Sequence, residues 1–328
     1  MTPPGRTSRG VVLRLLAAGS PGYLRSLAKN IVKRALGRKP HFTAGDILFR
    51  ACLREFCGGP KLRKITCIAS TGEGAGSQAL MMMRAIHFAR TFGLTYLHTP
   101  FAEIYYADRP MDVWAAAWEA HFNLGAGEIA ADGDGDTNSN SGEVVNYAFT
   151  FPMLSALFGV DGSEPAFDDA TIREFRRRYR VDKSPRLNEV LSVSVHARRR
   201  NPEDSHSEDS TDLPRLARIL ARLRTVLDAR GGVYALRLFS QGQVEEFRGL
   251  GIPETGLFLD ADPLWSMREV IEADVLVTTL GTFSYVAGLL CDGIVLGDAS
   301  AAPAPGWIAY DANGDFDSDM LASRLPRR

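Results

Sequence analysis

Short apolar segments alternate with amphipathic segments through the second half of the sequence, and this alternation limits the fold more than any other feature. In Leu191–Val195, leucine and valine alternate with serines, a period of two that predicts a β-strand. Leu213–Ala229 carries its apolar residues on one helical stripe and ends before Gly231-Gly232, which predicts a helix. Further strands are predicted at Tyr234–Phe239, Leu257–Leu259, Asp274–Thr278 and Gly293–Leu296, with helices at Val244–Leu250, Pro263–Glu272 and Tyr285–Cys291. Such alternation favours a parallel sheet covered by helices.

The first half of the sequence shows the same pattern. The predicted elements are a helix over Ala44–Phe56, a strand over Lys64–Ala69, a glycine-rich loop over Ser70–Ser77, a helix over Gln78–Thr91 and a strand over Leu94–His98. The predicted fold class is therefore α/β, with two Rossmann-like parallel-sheet domains.

The length of 328 residues suits two domains of roughly 150 residues each. We expect a basic N-terminal extension over residues 1–40, an N-terminal Rossmann-like domain over residues 41–185 and a C-terminal one over residues 186–328. The charged segment Thr171–Arg180 is expected to be a helix that links the two domains.

The composition is that of an ordinary soluble protein, with 45% hydrophobic and 23% charged residues. A net charge of −1 gives no global attraction for nucleic acid. No apolar run reaches the roughly 18 residues of a transmembrane helix. The four cysteines form no CxxC pair, which argues against a disulfide framework or a zinc site and favours a cytoplasmic location.

The N-terminal segment over residues 11–39 is basic and amphipathic. Its apolar residues include Leu24, Leu27, Ile31, Val32 and Leu36, and its basic residues include Arg25, Lys29, Lys33, Arg34, Arg38 and Lys39. Such a helix can lie on an anionic membrane surface, or it can pack against its own domain. The sequence leaves both alternatives open.

Three arginines follow the strand predicted at Leu191–Val195. His196 comes first, and Arg198, Arg199 and Arg200 come directly after it. Ligands of open α/β sheets bind beyond the carboxyl ends of the strands, and the guanidinium group matches phosphate oxygens. The segment predicts an anionic ligand, most simply a diphosphate, with a solvated basic turn as the alternative.

A turn rich in hydroxyl groups follows the strand predicted at Asp274–Thr278. In order, it contains Thr279, Gly281, Thr282 and Ser284. Hydroxyl and backbone N–H groups at the start of a helix can hold phosphate oxygens, although Ser and Thr are also routine helix caps. Together with the arginine loop, this turn predicts a phosphate site in the second half of the chain.

The glycine-rich segment Gly72–Gln78 matches no complete nucleotide-binding motif. A dinucleotide fingerprint requires Gly or Ala where Ser77 stands, and a P-loop requires a Gly-Lys-Ser/Thr that is absent. A dinucleotide-dependent oxidoreductase is therefore disfavoured. Glycines still let a backbone approach a ligand closely, and Glu73 lies among them as a candidate general base or a solvated acid.

The middle of the first predicted domain contains two further stretches of distinct composition. Phe101–Leu124 is rich in aromatic residues, of which Trp114 and Trp118 are expected to be core residues of a helix. Gly125–Gly142 is small and acidic, and is interpreted as a mobile loop. Its DGDGD run lacks the Gly that a calcium loop needs at Thr137, so no metal site is predicted. Both stretches are candidate acceptor-side elements.

Four segments together resemble the fucosyltransferase superfamily of GT-B fold, which includes α1,2-, α1,6- and protein O-fucosyltransferases. His196–Asn201 is similar to the family's H-x-R-R-G-D-like motif, and Ala273–Ala287 to its late strand-and-helix segment. Leu238–Ser240 resembles the end of another strand of the family, and Gly72–Gln78 resembles its N-terminal glycine loop. The resemblance covers roughly residues 65–300.

The resemblance implies two Rossmann-like domains that face a cleft, and inverting, metal-independent transfer of a sugar from a GDP-sugar, usually GDP-L-fucose, to a glycan or other hydroxyl acceptor. It implies that Arg198 holds the diphosphate and supports its departure, with help from Arg199, and that Glu73 is the base. Asp274 would face the base or ribose, and Thr282 and Phe283 would line the phosphate and guanine. The implied donor-binding residues are His196, Arg198, Arg199, Asp274, Thr282, Phe283, Ser284, Gly74, Gly76 and Gln78.

The sequence departs from the family pattern at three positions. Arg200 stands where Gly is common, Asn201 where Asp is common, and Gln241 replaces an acid after Ser240. These departures keep open an alternative function, a non-catalytic relative that binds a glycan or a nucleotide.

Overall fold

A computed structural model describes residues 9–37, 46, 49–50, 53, 63–69, 72–105, 107–131, 144–148, 166–184, 189–199 and 210–326. The chain divides into two compact units, Met1–Ala166 and Phe167–Arg328. The helix predicted over Ala44–Phe56 and the loop residues Ser70 and Thr71 lie largely outside the described residues, as do Arg200 and Asn201.

The first unit is built on a four-stranded parallel sheet. Its elements are α1 (Arg9–Ala35), β1 (Lys64–Thr66), α2 (Ala75–Phe92), β2 (Thr95–His98), α3 (Met111–Phe122), β3 (Ile129–Ala130) and β4 (Val144–Asn146). The strand order is β3-β2-β1-β4, and Ile65 at the centre pairs with Tyr96 on one side and Val145 on the other. The short strand β3 lies within the stretch that was predicted to be a mobile loop.

The second unit is built on a six-stranded parallel sheet of order β10-β9-β8-β5-β6-β7. Its strands are β5 (Leu191–His196), β6 (Tyr234–Ser240), β7 (Leu257–Leu259), β8 (Val275–Val277), β9 (Ile294–Asp298) and β10 (Ile308–Tyr310). Its helices are α4 (Asp169–Arg180), α5 (Leu213–Ala229), α6 (Val244–Phe247), α7 (Pro263–Ile271), α8 (Thr282–Leu290) and α9 (Ser318–Arg324).

The predicted α/β class with two parallel sheets is confirmed. The division of the chain falls earlier than the predicted boundary between residues 185 and 186, because α4 belongs to the second unit. Its Arg176 donates a hydrogen bond from Nε to the Leu289 carbonyl oxygen in α8, at 2.9 Å. Among the described residues, no helix has both the length and the apolar character needed to cross a membrane.

The alternation within β5 assigns its side chains to the two faces of the second sheet. Val193 and Val195 are fully buried against the apolar stripe of α5, which includes Leu220. On the opposite face, Ser194 donates from Oγ to the Glu269 carbonyl oxygen in α7 at 3.1 Å. His196 shares the face of Ser194, and it is the last residue of β5, at the carboxyl edge of the sheet.

Candidate functional site

Hydrogen bonds join the loop after β5 to the loop after β8 at the carboxyl edge of the second sheet. Thr279 donates from Oγ1 to the His196 carbonyl oxygen at 2.7 Å, and the Thr279 and Thr211 hydroxyl oxygens lie 2.9 Å apart. The Thr211 backbone N–H donates to the Arg198 carbonyl oxygen at 2.8 Å. The structure therefore brings together the two segments that the sequence singled out separately.

His196 connects β5 to the first turn of α8. Its Nδ1 lies 2.6 Å from the Ser284 hydroxyl oxygen, and its ring stacks on Phe283 with centroids 4.8 Å apart. Burial, reinforced by the positive charge of Arg198, lowers the pKa of His196 from 6.5 to about 4. The imidazole is therefore neutral at neutral pH and helps to position α8.

The side chain of Arg198 lies along Gly281, directly before α8. A Cβ atom at Gly281 would lie 3.3 Å from Arg198 Nη1 and 3.4 Å from its Cδ. Gly281 has a φ of 108°, which favours glycine, and as the N-cap residue it offers no side chain to the first N–H groups of α8. A guanidinium group beside the positive end of a helix is an arrangement that favours an anion.

The first turn of α8 contains the three predicted phosphate-side residues. The helix begins at Thr282, three residues before the predicted start at Tyr285, so the expected turn over Thr279–Ser284 is shorter. Thr282 and Phe283 are partly exposed, and Ser284 is fully buried under His196. His196, Arg198, Thr282, Phe283 and Ser284 therefore form one local group, which we call the α8 site.

Arg199 points to a different neighbour from Arg198. It forms an ion pair with Glu246 of α6, and its guanidinium carbon lies 5.8 Å from the centre of the Phe247 ring. The Glu246 pKa is lowered, chiefly by a hydrogen bond from the Gln243 backbone N–H and in smaller part by Arg199. Arg199 thus fastens the loop to α6, and its assistance to Arg198 stays a prediction.

Asp274 lies at the opposite edge of the sheet from the α8 site. It directly precedes β8 and aligns with Ser192 at the amino end of β5, because Val193 pairs with Val275. Its Oδ2 accepts hydrogen bonds from the Ser192 backbone N–H at 2.8 Å and from the Ser192 hydroxyl at 2.9 Å. The structure therefore corrects the prediction that Asp274 faces the base or ribose, and gives its carboxylate the role of joining two strands.

We expect Asp274→Ala to lower the free energy of unfolding by about 2 kcal/mol, because it leaves the buried Ser192 N–H without its charged acceptor. Urea unfolding measures the loss, and affinity for nucleotides should stay at the wild-type value. In a double-mutant cycle with Ser192→Ala, the two losses should be less than additive. Weaker nucleotide binding in a stably folded Asp274→Ala protein would restore the original prediction.

The neutral state of His196 makes stability depend on pH. Between pH 6.5 and pH 4 the unfolded chain binds a proton at this residue that the folded chain does not, so lowering the pH destabilises the fold. Because the ring is partly exposed, we expect a loss of about 2 kcal/mol across this window instead of the full linkage value. His196→Gln should remove that part of the slope in urea unfolding at several pH values. Identical slopes in both proteins would mean that His196 titrates normally.

The predicted residues of the glycine-rich loop lie at the start of α2. Gly74 is the N-cap residue, and Gly76 and Gln78 are buried in the first turn. The Gln78 amide donates from Nε2 to the carbonyl oxygens of Glu73 at 2.9 Å and Glu103 at 2.6 Å. Gln78 therefore shapes the loop from within and holds Glu73 in a half-buried position.

The sequence analysis did not predict a cluster of aromatic side chains next to the α8 site. Phe239 pairs with His196 across β5 and β6, and its ring stacks on Phe258 at 5.2 Å and 14°. Trp265, 38% exposed, contacts Phe239 and Phe258 at 5.6 and 5.1 Å between centroids. The sequence signal for this group was an aromatic residue at or next to the carboxyl end of two consecutive strands.

The expectation that Trp114 and Trp118 are core residues is confirmed, since each is only 2% exposed. The same region holds a pair that the sequence did not reveal. His98, the last residue of β2, lies with Nε2 2.8 Å from Glu119 Oε1, and the second oxygen of Glu119 accepts the Phe101 backbone N–H at 3.2 Å. Within the described residues, no group of three or more His, Cys, Asp or Glu side chains is arranged to hold a metal ion.

The fold and the site define an α/β protein with two parallel sheets and a cationic, hydroxyl-bearing helix start at the carboxyl edge of the second sheet. No protein-family model and no curated protein matches the chain. A solved structure of nickel-free carbon monoxide dehydrogenase from Thermococcus sp. AM4 aligns at 12% sequence identity with a TM-score of 0.26. The alignment covers 97% of this chain and 48% of the dehydrogenase chain, so the chain spans about half of that protein's length. A likeness this low carries no argument about fold or activity.

Proposed function

We propose that this chain is an inverting, metal-independent glycosyltransferase that moves a sugar, L-fucose, from a GDP-sugar to a hydroxyl group of a glycan. The observation that carries the proposal is the position of Arg198 against Gly281 at the start of α8. This placement supports the diphosphate role that the resemblance assigns to the arginine motif and the late segment.

The chemistry of the proposed reaction requires positive charge at the leaving group. The acceptor oxygen bonds to the anomeric carbon while the bond from that carbon to the β-phosphate oxygen breaks, so negative charge grows on the departing GDP. A fixed guanidinium and the N–H groups of α8 stabilise that charge without reorganising as it forms. Arg198 would supply the guanidinium, and the backbone at Thr282 and Phe283 would supply the N–H groups.

We propose that Glu73 removes the proton of the acceptor hydroxyl. A carboxylate within reach of the acceptor hydroxyl serves as a general base, and by the resemblance Glu73 matches the carboxylate that some protein O-fucosyltransferases use as a base. Gln78 supports this role because its amide fixes the main chain at Glu73.

The neutral His196 and the aromatic rings beside it suit the nucleoside end of the donor. Phe283 stacks on His196, and Trp265, which is 38% exposed, packs on the buried ring of Phe239, the residue that pairs with His196, so two partly exposed aromatic faces lie near His196. Purine bases stack on such faces. We therefore place the guanine along this edge, with the diphosphate at Arg198.

The alternative is a non-catalytic module that binds a glycan or a nucleotide. It is favoured by the Arg199–Glu246 ion pair, which directs the second arginine of the motif away from the α8 site. The departures from the family pattern at Asn201 and Gln241 also favour this alternative.

Calorimetric titration of GDP, GDP-fucose, GDP-mannose and UDP-glucose in the presence of EDTA tests the proposal. Binding selective for guanine, with release of GDP from one GDP-sugar in the presence of a glycan panel, supports the transferase. Guanine-selective binding with no release across the panel favours the non-catalytic module. No binding of any nucleotide overturns the transferase and leaves a non-catalytic module that binds a glycan.

A further inference from the structure

In the second half of helix α1, from Leu24 to Ala35, polar residues face the protein beside the half-buried Leu27, and most of the apolar residues face solvent. Asn30 is only 3% exposed, and Ser26 donates from Oγ to Asp46 Oδ2 at 2.7 Å. In contrast, Leu24 and Ile31 are 60% and 61% exposed. A surface helix of a globular protein normally buries its apolar stripe. The reversed orientation of α1 therefore indicates that something outside the described fold covers this helix.

The exposed apolar residues form one continuous stripe. At 100° per residue, positions separated by three, four and seven residues share a helix face. The stripe consists of Leu24, Ala28, Ile31, Val32, Ala35 and Leu36, all exposed. We call this set the α1 stripe. The hydrogen bond of Ser26 on the other side of the helix fixes the direction in which the stripe faces.

Positive charge borders the α1 stripe on both sides. Arg25 and Lys29 lie along one border and Arg34 along the other, and all three are exposed. The sequence of α1 contains no Asp or Glu. An apolar stripe bordered by cations is complementary to the boundary between the anionic headgroups and the acyl chains of a bilayer.

We propose that α1 docks the protein on an anionic lipid surface, with the α1 stripe inserted below the headgroups and Arg25, Lys29 and Arg34 among the phosphates. A second copy of the chain fits this helix less well. A two-fold contact through α1 would place the same cations opposite one another, with no acid in either helix to offset them. The inference is independent of the transferase proposal, because it uses no residue of the α8 site.

Flotation with lipid vesicles tests the docking. The probes are vesicles of phosphatidylcholine with about 30% phosphatidylserine, and vesicles of phosphatidylcholine alone, in about 0.1 M salt. The wild type should float with the anionic vesicles. The double variant Leu24→Ser/Ile31→Ser should partition about 100-fold more weakly, since two large apolar side chains no longer insert.

Two further variants separate apolar insertion from charge and from general surface effects. Arg25→Gln/Lys29→Gln should weaken partition into anionic vesicles by about 30-fold and leave the weak binding to phosphatidylcholine unchanged. Val233→Ser, at an apolar residue of the second unit that is 76% exposed, should float like the wild type. Because every substituted side chain is exposed, melting temperatures should be equal across the set.

Three results would overturn the proposal. The first is a wild type that stays with the soluble fraction, and the second is a Leu24→Ser/Ile31→Ser protein that floats as well as the wild type. The third is a concentration-dependent dimer, seen by light scattering without vesicles, that the same double variant abolishes while vesicle binding is absent. That outcome would assign the α1 stripe to a second copy of the chain.

Discussion

Arg198→Ala should lower the affinity for GDP by about 100-fold. A guanidinium that donates two charge-assisted hydrogen bonds to a diphosphate contributes about 1.5–3 kcal/mol, and alanine removes both. With GDP-fucose as donor, turnover should fall by a further factor of about 100, because the lost charge also stabilised the leaving group. Calorimetry measures the first effect and GDP release at saturating donor the second.

Three control variants make the Arg198 result specific. Arg198→Lys keeps the charge and loses the planar fork, so we expect about a tenfold loss of affinity. Arg173→Ala removes an exposed arginine from α4 in the same unit and should change nothing. Arg199→Ala should leave affinity within about threefold, because Glu246 already holds that side chain. Wild-type affinity in Arg198→Ala would remove the arginine, and with it the α8 site, from the proposal.

The strands and helices of the second unit were largely predictable because their signals are local. The alternation in β5 and the apolar stripe of α5 reflect which side chains a sheet and a helix must bury, and Val195 and Leu220 are both fully buried. The end of β5 also predicted the place of Arg198, since ligands of such sheets bind beyond the carboxyl ends of the strands.

The start of α8 was predicted three residues late for a backbone reason. The run of hydroxyl residues suggested a turn up to Ser284, but the positive φ of Gly281 completes the change of direction and the helix begins at once. The consequence is functional, because Thr282 and Phe283 become the first turn of the helix instead of residues of a loop.

The misplacement of Asp274 could have been avoided from the sequence. A residue that directly precedes a parallel strand lies at the amino edge of the sheet, away from the residues that follow the neighbouring strand. Its partner, Ser192, could not be predicted, because the two residues meet only through the register of β5 and β8.

The strand β10 was missed because long-range packing, rather than a local pattern, specifies it. It has three residues, and the preceding Trp307 packs where Cβ atoms at Gly288 and Gly297 would lie 2.5 Å from its ring. Those two glycines are 19 and 10 residues upstream of the tryptophan. The pattern of apolar residues within β10 itself therefore gives no indication of this packing. The partner of Arg199 was unpredictable for the same reason, since Glu246 is 47 residues away along the chain.

Glu73→Gln should give the largest loss of activity, a fall in turnover of about 1000-fold with the affinity for GDP unchanged. Glutamine keeps the shape of the side chain but cannot accept the acceptor proton. The loop should keep its conformation, because Gln78 binds the main-chain oxygen of residue 73 and not its carboxylate. GDP release from GDP-fucose, with and without acceptor, measures the loss.

Glu103→Gln is the matched control for Glu73→Gln. The carbonyl oxygen of Glu103 accepts from the same Gln78 amide, at 2.6 Å, but its side chain is exposed where that of Glu73 is half-buried. If neutralising a carboxylate disturbed the segments that Gln78 holds, turnover would fall in both variants. If Glu73 is the base, turnover falls only in Glu73→Gln. Turnover in Glu73→Gln equal to that of Glu103→Gln would mean that another group takes the proton, and would leave the α8 site as the part of the proposal that stands.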